Sequence, residues 1–383
     1  MPDGAPTMKY RRKTLKDPVS GREVWQVTPD GISCAKGYMY LNHFTPDERR
    51  LTVLAAVGGR QQLCAVDLER GGMTPLADAP GLNWCSWNVH PLTGEVYYRT
   101  GERIMAVDPE RGTERLVFDA AQHEELQRHT GGPIMFSGSG RWFSAQFTSD
   151  PTPRSSPPDW SHWGAVAYER CGIVRIACDG SGCEIVYRHD ESMQHVMFCP
   201  ADDDLLTFAV WPDYQNNAAL PDEKRARAWL VDARTQTARP YLITPKGFRA
   251  THEFWSRAGD RLFYHKKAVP GWLPTSLSYL DRATGAHHDF YPDPARRLSH
   301  SAASGDGEWV VSDSVEAPGL DELVLVEVRT GRAEIICCPH QIKANAWITP
   351  PSFSPSGRFI VFACDGSGEG RVYLVPVSCS RPR

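Results

Sequence analysis

The chain has 383 residues, of which 41% are hydrophobic and 23% charged, and its net charge is −4. This length suits several ordinary domains or one large repeat architecture. So mild a charge argues against a nucleic-acid partner; no apolar run reaches the roughly 18 residues of a membrane span; and no apolar core of a secretory signal follows the basic residues Lys9, Arg11, Arg12 and Lys13.

Residues 1–20 read as a leader. Helical signals are scarce, and the one polar stretch with helical character is Ala120 to Arg128. Elsewhere short β-rich runs alternate with clusters of Gly, Pro, Asp and Ser. Two phrases recur. One is an apolar residue ahead of a tight turn, as in Phe44-Thr45-Pro46-Asp47, Phe198-Cys199-Pro200 and Phe353-Ser354-Pro355-Ser356-Gly357. The other is a strand running into a polar turn, as in Ala65-Val66-Asp67-Leu68-Glu69-Arg70-Gly71 and Tyr279-Leu280-Asp281-Arg282-Ala283-Thr284-Gly285.

Aligning the first phrase gives seven units, whose turns follow Phe44, Val89, Phe136, Phe198, Trp255, Ala303 and Phe353. Their separations run from 45 residues (Phe44 to Val89) to 62 (Phe136 to Phe198). A period near 40–50 residues carrying four strands predicts a β-propeller blade. The fold class is therefore all-β, a single seven-bladed β-propeller with blades spanning about residues 36–377. The spare strand at residues 23–28 is expected to pair with Arg371 to Val377 and close the ring, because an open ring leaves sheet edges unpaired. The Gly-His and Trp-Asp signatures of WD40 blades are missing.

The eleven cysteines are scattered. Cys178 and Cys183 lack zinc-ligand spacing, and Cys337-Cys338 has no partner pair. Free thiols in a reducing, cytoplasmic setting are expected.

Three consecutive units carry a histidine three residues before the last apolar residue of the turn: His195, His252 and His300. A lone histidine in a strand is usually structural. Three at one phase on adjacent blades form a constellation near one end of the channel. Arg227 starts the third strand of blade four and points to the same end. The over-long loops of blade three, containing Pro157-Pro158-Asp159-Trp160-Ser161-His162-Trp163, and of blade four, about residues 211–225, would wall a cleft there with Lys266 to Trp272 of blade five. Paired carboxylates, a phosphate-binding Gly-rich loop and a Gly-x-Ser-x-Gly elbow are missing from the pattern. Imidazole plus guanidinium suits removal of a proton beside a carboxylate, followed by β-elimination across a glycosidic bond of a uronic-acid sugar.

At these residues the chain resembles the oligogalacturonate lyase family. The resemblance spans nearly the whole chain, from Val24-Trp25-Gln26-Val27-Thr28 to the last blade. It implies a seven-bladed propeller that cleaves short pectate fragments in the bacterial cytoplasm. Thr251-His252-Glu253-Phe254-Trp255 matches the segment with the family's base, so His252 takes that role, and Arg227 in Ala226-Arg227-Ala228-Trp229-Leu230 takes that of the catalytic arginine. His195 and His300 match further active-site histidines, and Lys36 and Tyr38 lie in a segment lining the same face. Trp163 and Asn345 complete the expected substrate contacts. The family also implies a divalent metal, typically manganese. His300 matches one ligand and Asn345 stands where a glutamine ligand would be, but Ile348 and Pro350 replace two histidines and neither can ligate. Little or no tightly bound metal is therefore expected. The expected partner is an acidic oligosaccharide, with no nucleic acid and no membrane. A catalytically silent propeller that binds an acidic sugar, and a propeller serving as a protein-interaction platform, are the competing readings.

Overall fold

The strand runs of the sequence are antiparallel strands in the computed structural model, which describes residues 7–78, 80–83, 85–126, 130–148, 167–191, 193–210, 219–314, 322–338, 350–364 and 369–377. They form seven antiparallel sheets arranged as blades of a ring, a seven-bladed β-propeller. In blade five, for example, Phe248–Trp255, Arg261–Ala268, Thr275–Asp281 and His287–Asp293 follow one another outwards. Among the described residues helix is limited to short 3-10 turns such as Ala120–Gln122 and Asp222–Arg225, and the described part of the stretch expected to have helical character, residues 120–126, holds one such turn.

Alternation along each strand gives every blade two apolar faces, and neighbouring blades bury them against each other. Tyr97, Phe143 and Ile176 pack between blades two and three, and Ile173, Phe208 and Val231 between three and four. Val311, Leu325 and Phe362 fill the gap between six and seven, and Val53, Val66 and Val372 that between seven and one. Each such side chain contributes about 1.5–3 kcal/mol on full burial.

The ring closes as the spare strand predicted. Trp25 pairs with Leu374 and Gln26 with Tyr373, completing the last blade from the N-terminal side. Part of the segment expected as a leader is built in as well. Lys13–Lys16 adds a fifth, outermost strand to that sheet, and Met8 bridges Met73 of blade one. Across the same seam Glu48 of blade one accepts hydrogen bonds from Ser356 Oγ at 2.9 Å and Arg358 Nη2 at 2.8 Å in blade seven.

Blade one departs from its neighbours. Its inner strand is only Cys34–Ala35, and the ladder resumes at the Phe44 to Leu51 bridge. Between them Lys36 to His43 leaves the sheet and crosses the channel. Ser301 of blade six donates its N–H to Met39 Sδ at 3.3 Å, Ser352 of blade seven donates to the Met39 carbonyl at 2.9 Å, and Asn42 bonds Asn88 and Val89 of blade two. Tyr38, Met39 and Leu41 join Met197, Phe254 and Leu298 in one apolar cluster, so this segment plugs the middle of the ring.

Candidate active site

His195, His252 and His300 lie on the inner strands of blades four, five and six. Their ring centroids form a row, 6.3 Å from His195 to His252 and 4.4 Å from His252 to His300. The backbone that presents them is irregular. The pairing slips between Gln194 and Met197, between Thr251 and Phe254, and between Leu298 and Ser301. His195 and His252 also take positive φ, 47° and 53°. That conformation costs a non-glycine residue about 1–3 kcal/mol, and bulges of this kind re-aim side chains beside functional sites. Here the bulge breaks strict alternation, and His252 and Glu253, which a regular strand would send to opposite faces, both contribute to one cluster.

Glu253 links two of the expected residues. Its carboxylate, 1% exposed, accepts from Arg227 Nε at 3.0 Å, from Arg227 Nη2 at 3.2 Å and from His195 Nδ1 at 2.8 Å. Burial alone would raise this carboxyl; Arg227 and His195 outweigh it and hold it down at about 2. Arg227 is wholly enclosed, and its Nη1 also donates to the Val210 carbonyl at 2.9 Å. A carboxylate can only accept, so Nδ1 of His195 carries a proton and Nε2 is the other pole of the ring.

Blade six repeats the device with a residue from its second strand. Asp313, also buried, accepts from His300 Nδ1 at 3.0 Å and from the His300 backbone N–H at 2.6 Å. His252 stands between these two carboxylate-held imidazoles with no carboxylate of its own, and its Nδ1 has no hydrogen-bond partner among the described residues. Burial, then His300, Lys267, His265 and His195, push its pKa well below the ordinary imidazole range, so it is neutral near pH 7.

The plug supplies the floor. The Tyr38 ring lies 6.0 Å from His195 and 5.5 Å from His300, and Tyr40 lies 5.6 Å from His195. Lys36 is buried beside them. Its ammonium donates to the Gly37 carbonyl at 2.8 Å and to Ser352 Oγ at 3.2 Å, and lies 3.3 Å from His43 Nε2. Burial lowers it to about 7 against the opposing pull of Asp313. Arg227, Lys36, Lys267 and Arg249 thus surround the histidines, against the carboxylates Glu253 and Asp313.

Of the residues named from sequence, the structure brings together His195, His252, His300, Arg227, Lys36 and Tyr38. Trp163, Asn345 and Ile348 lie outside the described residues, as do most of the long loops of blades three and four. Glu253, Asp313, His265, Lys267 and Tyr40 were missed as site residues. Cross-strand position is what reveals Asp313 and His265, and a single sequence carries little signal for it. An open recess lined by His123, Glu124, Cys183 and Arg188 lies on the outer strands of blades two and three, remote from this chemistry; there Arg188 is bidentate to Glu125.

The comparisons with known proteins point to one family. A family model described as oligogalacturonate lyase matches residues 4–323. The oligogalacturonide lyase of Pectobacterium atrosepticum is 23% identical over 95% of both chains, and the oligogalacturonate lyase of Dickeya dadantii is 23% identical over 97% of both. Among solved structures, an oligogalacturonate lyase in complex with manganese aligns with a TM-score of 0.83 at 20% identity, covering 98% of each chain. The oligogalacturonate lyase of Vibrio parahaemolyticus gives 0.83 at 20% identity, covering 98% of this chain and 99% of its own.

The residues present do not fit a metal as the resemblance arranges one. His300, its Nδ1 held by Asp313, keeps Nε2 as one donor, but Pro350 offers no side-chain donor and Ser352, two residues on, is engaged by Lys36 and Met39. An isoleucine at position 348 offers no donor wherever it lies. Among the described residues no group of three or more His, Cys, Asp or Glu converges to hold a metal ion. What matches is the scaffold. By fold and by a family match over most of its length, the chain belongs to the oligogalacturonate lyase family.

Proposed function

We propose that the protein is a lyase that cleaves a uronate-containing oligosaccharide, oligogalacturonate or a close relative, by β-elimination. The observation that carries this reading is His252, kept neutral among basic side chains and between two carboxylate-held imidazoles. In the proposed step the lone pair of His252 takes the proton from C5 of the sugar. The C5–H electrons become the C4=C5 double bond, the C4–O4 bond breaks, and the departing oxygen takes up a proton. A carbon beside a carboxylate yields its proton only when the growing negative charge is offset, and fixed cations in a dry site do this best. Arg227 supplies such charge from beneath, and Glu253 couples it to His195. The ten described cysteines are free thiols, which suits work in the cytoplasm.

A silent acidic-sugar-binding propeller is the second reading, favoured by the missing donors at Ile348 and Pro350. The test is to incubate the purified protein with a panel of uronate oligosaccharides and follow the ultraviolet absorbance of an unsaturated product. Product from an oligogalacturonate is the expected result. Saturable binding with no product from any member would overturn the lyase reading in favour of the silent one.

A further inference from the structure

Blade five carries a second set of polar groups on the face turned to blade six. Arg249 lies directly opposite Lys267 across its inner strand pair, and Thr251 directly opposite His265. At two-residue spacing these four share one face. His265 identifies that face, because its Nε2 bonds Ser301 Oγ of blade six at 2.8 Å. The setting is dry: His265 is fully enclosed, Lys267 1% exposed and Thr251 6% exposed. Among the described residues His265 Nδ1, Thr251 Oγ1 and the neighbouring His252 Nδ1 have no hydrogen-bond partner. The Lys267 ammonium makes no hydrogen bond to a described residue either; it sits 3.8 Å from the centroid of Trp272, with the Arg249 guanidinium 4.9 Å from the same ring. Burial, then the charge of Arg249, holds Lys267 well below the ordinary lysine range, with Asp313 pulling the other way.

So many unmet groups in one dry place are costly without a ligand, and their character specifies one. An ammonium and a hydroxyl, beside the Arg249 guanidinium, ask for an oxyanion. In a uronate the proton to be removed is on C5 and the carboxylate carbon is bonded to C5. The base and the group that neutralises the carboxylate must therefore be neighbours. Arg227 has its charge matched by Glu253, and Lys36 spends its donors on Gly37 and Ser352. Lys267 has donors to give and acts on His252 through space. We propose that Lys267, flanked by Arg249 and Thr251 and roofed by Trp272, binds the carboxylate of the same sugar unit whose C5 proton His252 removes. This rests on the uronate-lyase reading and names the contact that reading requires.

The experiment uses the full chain carrying His252→Ala, so that ligand is not consumed. Trigalacturonate is titrated into it by calorimetry, with and without Lys267→Met, beside the carboxyl-reduced trisaccharide in which each carboxylate has become a hydroxymethyl group. Lys267→Met should weaken trigalacturonate binding on the order of 30-fold or more, as when one member of a desolvated charge pair is deleted. It should leave binding of the reduced sugar unchanged, and Lys267→Arg should restore most of the loss. If the Met variant does not fold by its melting curve, Lys267→Gln is measured in its place. Unchanged trigalacturonate affinity, or an equal loss for the reduced sugar, overturns the proposal. Wild-type turnover separates the two ideas. Unsaturated product from trigalacturonate with Lys267-independent binding ends the subsite and keeps the lyase. Lys267-dependent binding without product ends the lyase and keeps the subsite. No uronate binding by the parent chain ends both.

Discussion

Three residues before the turn residue in each of the seven units stand Leu41, Ser86, Pro133, His195, His252, His300 and Pro350. Blades four to six put an imidazole there, two of them braced by a buried carboxylate. The other four have an apolar, prolyl or hydroxyl group there, and blade one's Leu41 belongs to the Lys36 to His43 segment that crosses the channel. The four-stranded sheet and the packing between sheets are common to both halves. What differs is the residue: on blades four and five the histidine itself takes a left-handed conformation, within a ladder break that blade three shares between Gly131 and Met135. The scaffold is thus close to symmetric, and the three adjacent imidazoles with their two carboxylates set one side of the ring apart.

The largest effect should come from cutting the reactive half at its buried ion pair. Arg227→Ala leaves Glu253 charged and enclosed without its main partner. It should cost about 3–5 kcal/mol of stability, read by chemical denaturation, and lower turnover at least about 100-fold, as for loss of a positioned charge. A variant that keeps both would show that the Arg227–Glu253 pair does not brace the site.

Next in size is a pH profile. The base works in its neutral form, and His252 is held well below the ordinary imidazole range. Turnover should therefore stay level as pH falls through that range and decline only further down. On the alkaline side Lys36, lowered to about 7, loses its charge as pH rises past that value. KM for an acidic oligosaccharide should then rise above neutrality. Lys36→Arg should carry the plateau to higher pH, because a guanidinium stays charged. An alkaline limb that Lys36→Arg does not move would remove Lys36 from the site.

Smaller changes belong to the structural half. Trp25 in the closing strand packs 5.3 Å from Phe359, with Arg12 3.8 Å over its ring. Trp25→Ala should lower stability by about 2 kcal/mol and leave the pH profile of the folded fraction as it was. Ser86→Ala, at the histidine's phase in blade two, should cost about 1 kcal/mol through its lost hydrogen bond to the Asn83 N–H, with turnover unchanged. Loss of turnover in Ser86→Ala, with the fold retained, would mean that the chemistry is spread more widely around the ring.

Much of this division was legible in the sequence. The turn phrases repeat because each blade must end its inner strand at the same height, so the seven-fold count, the closing strand and the three histidines followed from spacing. Glu253 was hidden because strict alternation sends it away from His252, and only the bulge brings both into play. Asp313 and His265 sit on second strands, where their neighbours are set by cross-strand register. Lys13–Lys16, exposed at every position, offers no apolar pattern to read, which is why a fifth strand lay inside an expected leader. The channel plug left no periodic mark, since Lys36 to His43 is neither strand nor helix.

The central claim is that His252 removes the proton without help from a metal. The direct measurement is the rate of unsaturated product formation from trigalacturonate by wild type and His252→Ala, each with and without EDTA. The wild-type rate should be the same in both conditions, and the variant should fall by at least about a thousandfold, to the background of the buffer. A wild-type rate that vanishes on chelation and returns with manganese, or a His252→Ala rate near wild type, would contradict the account.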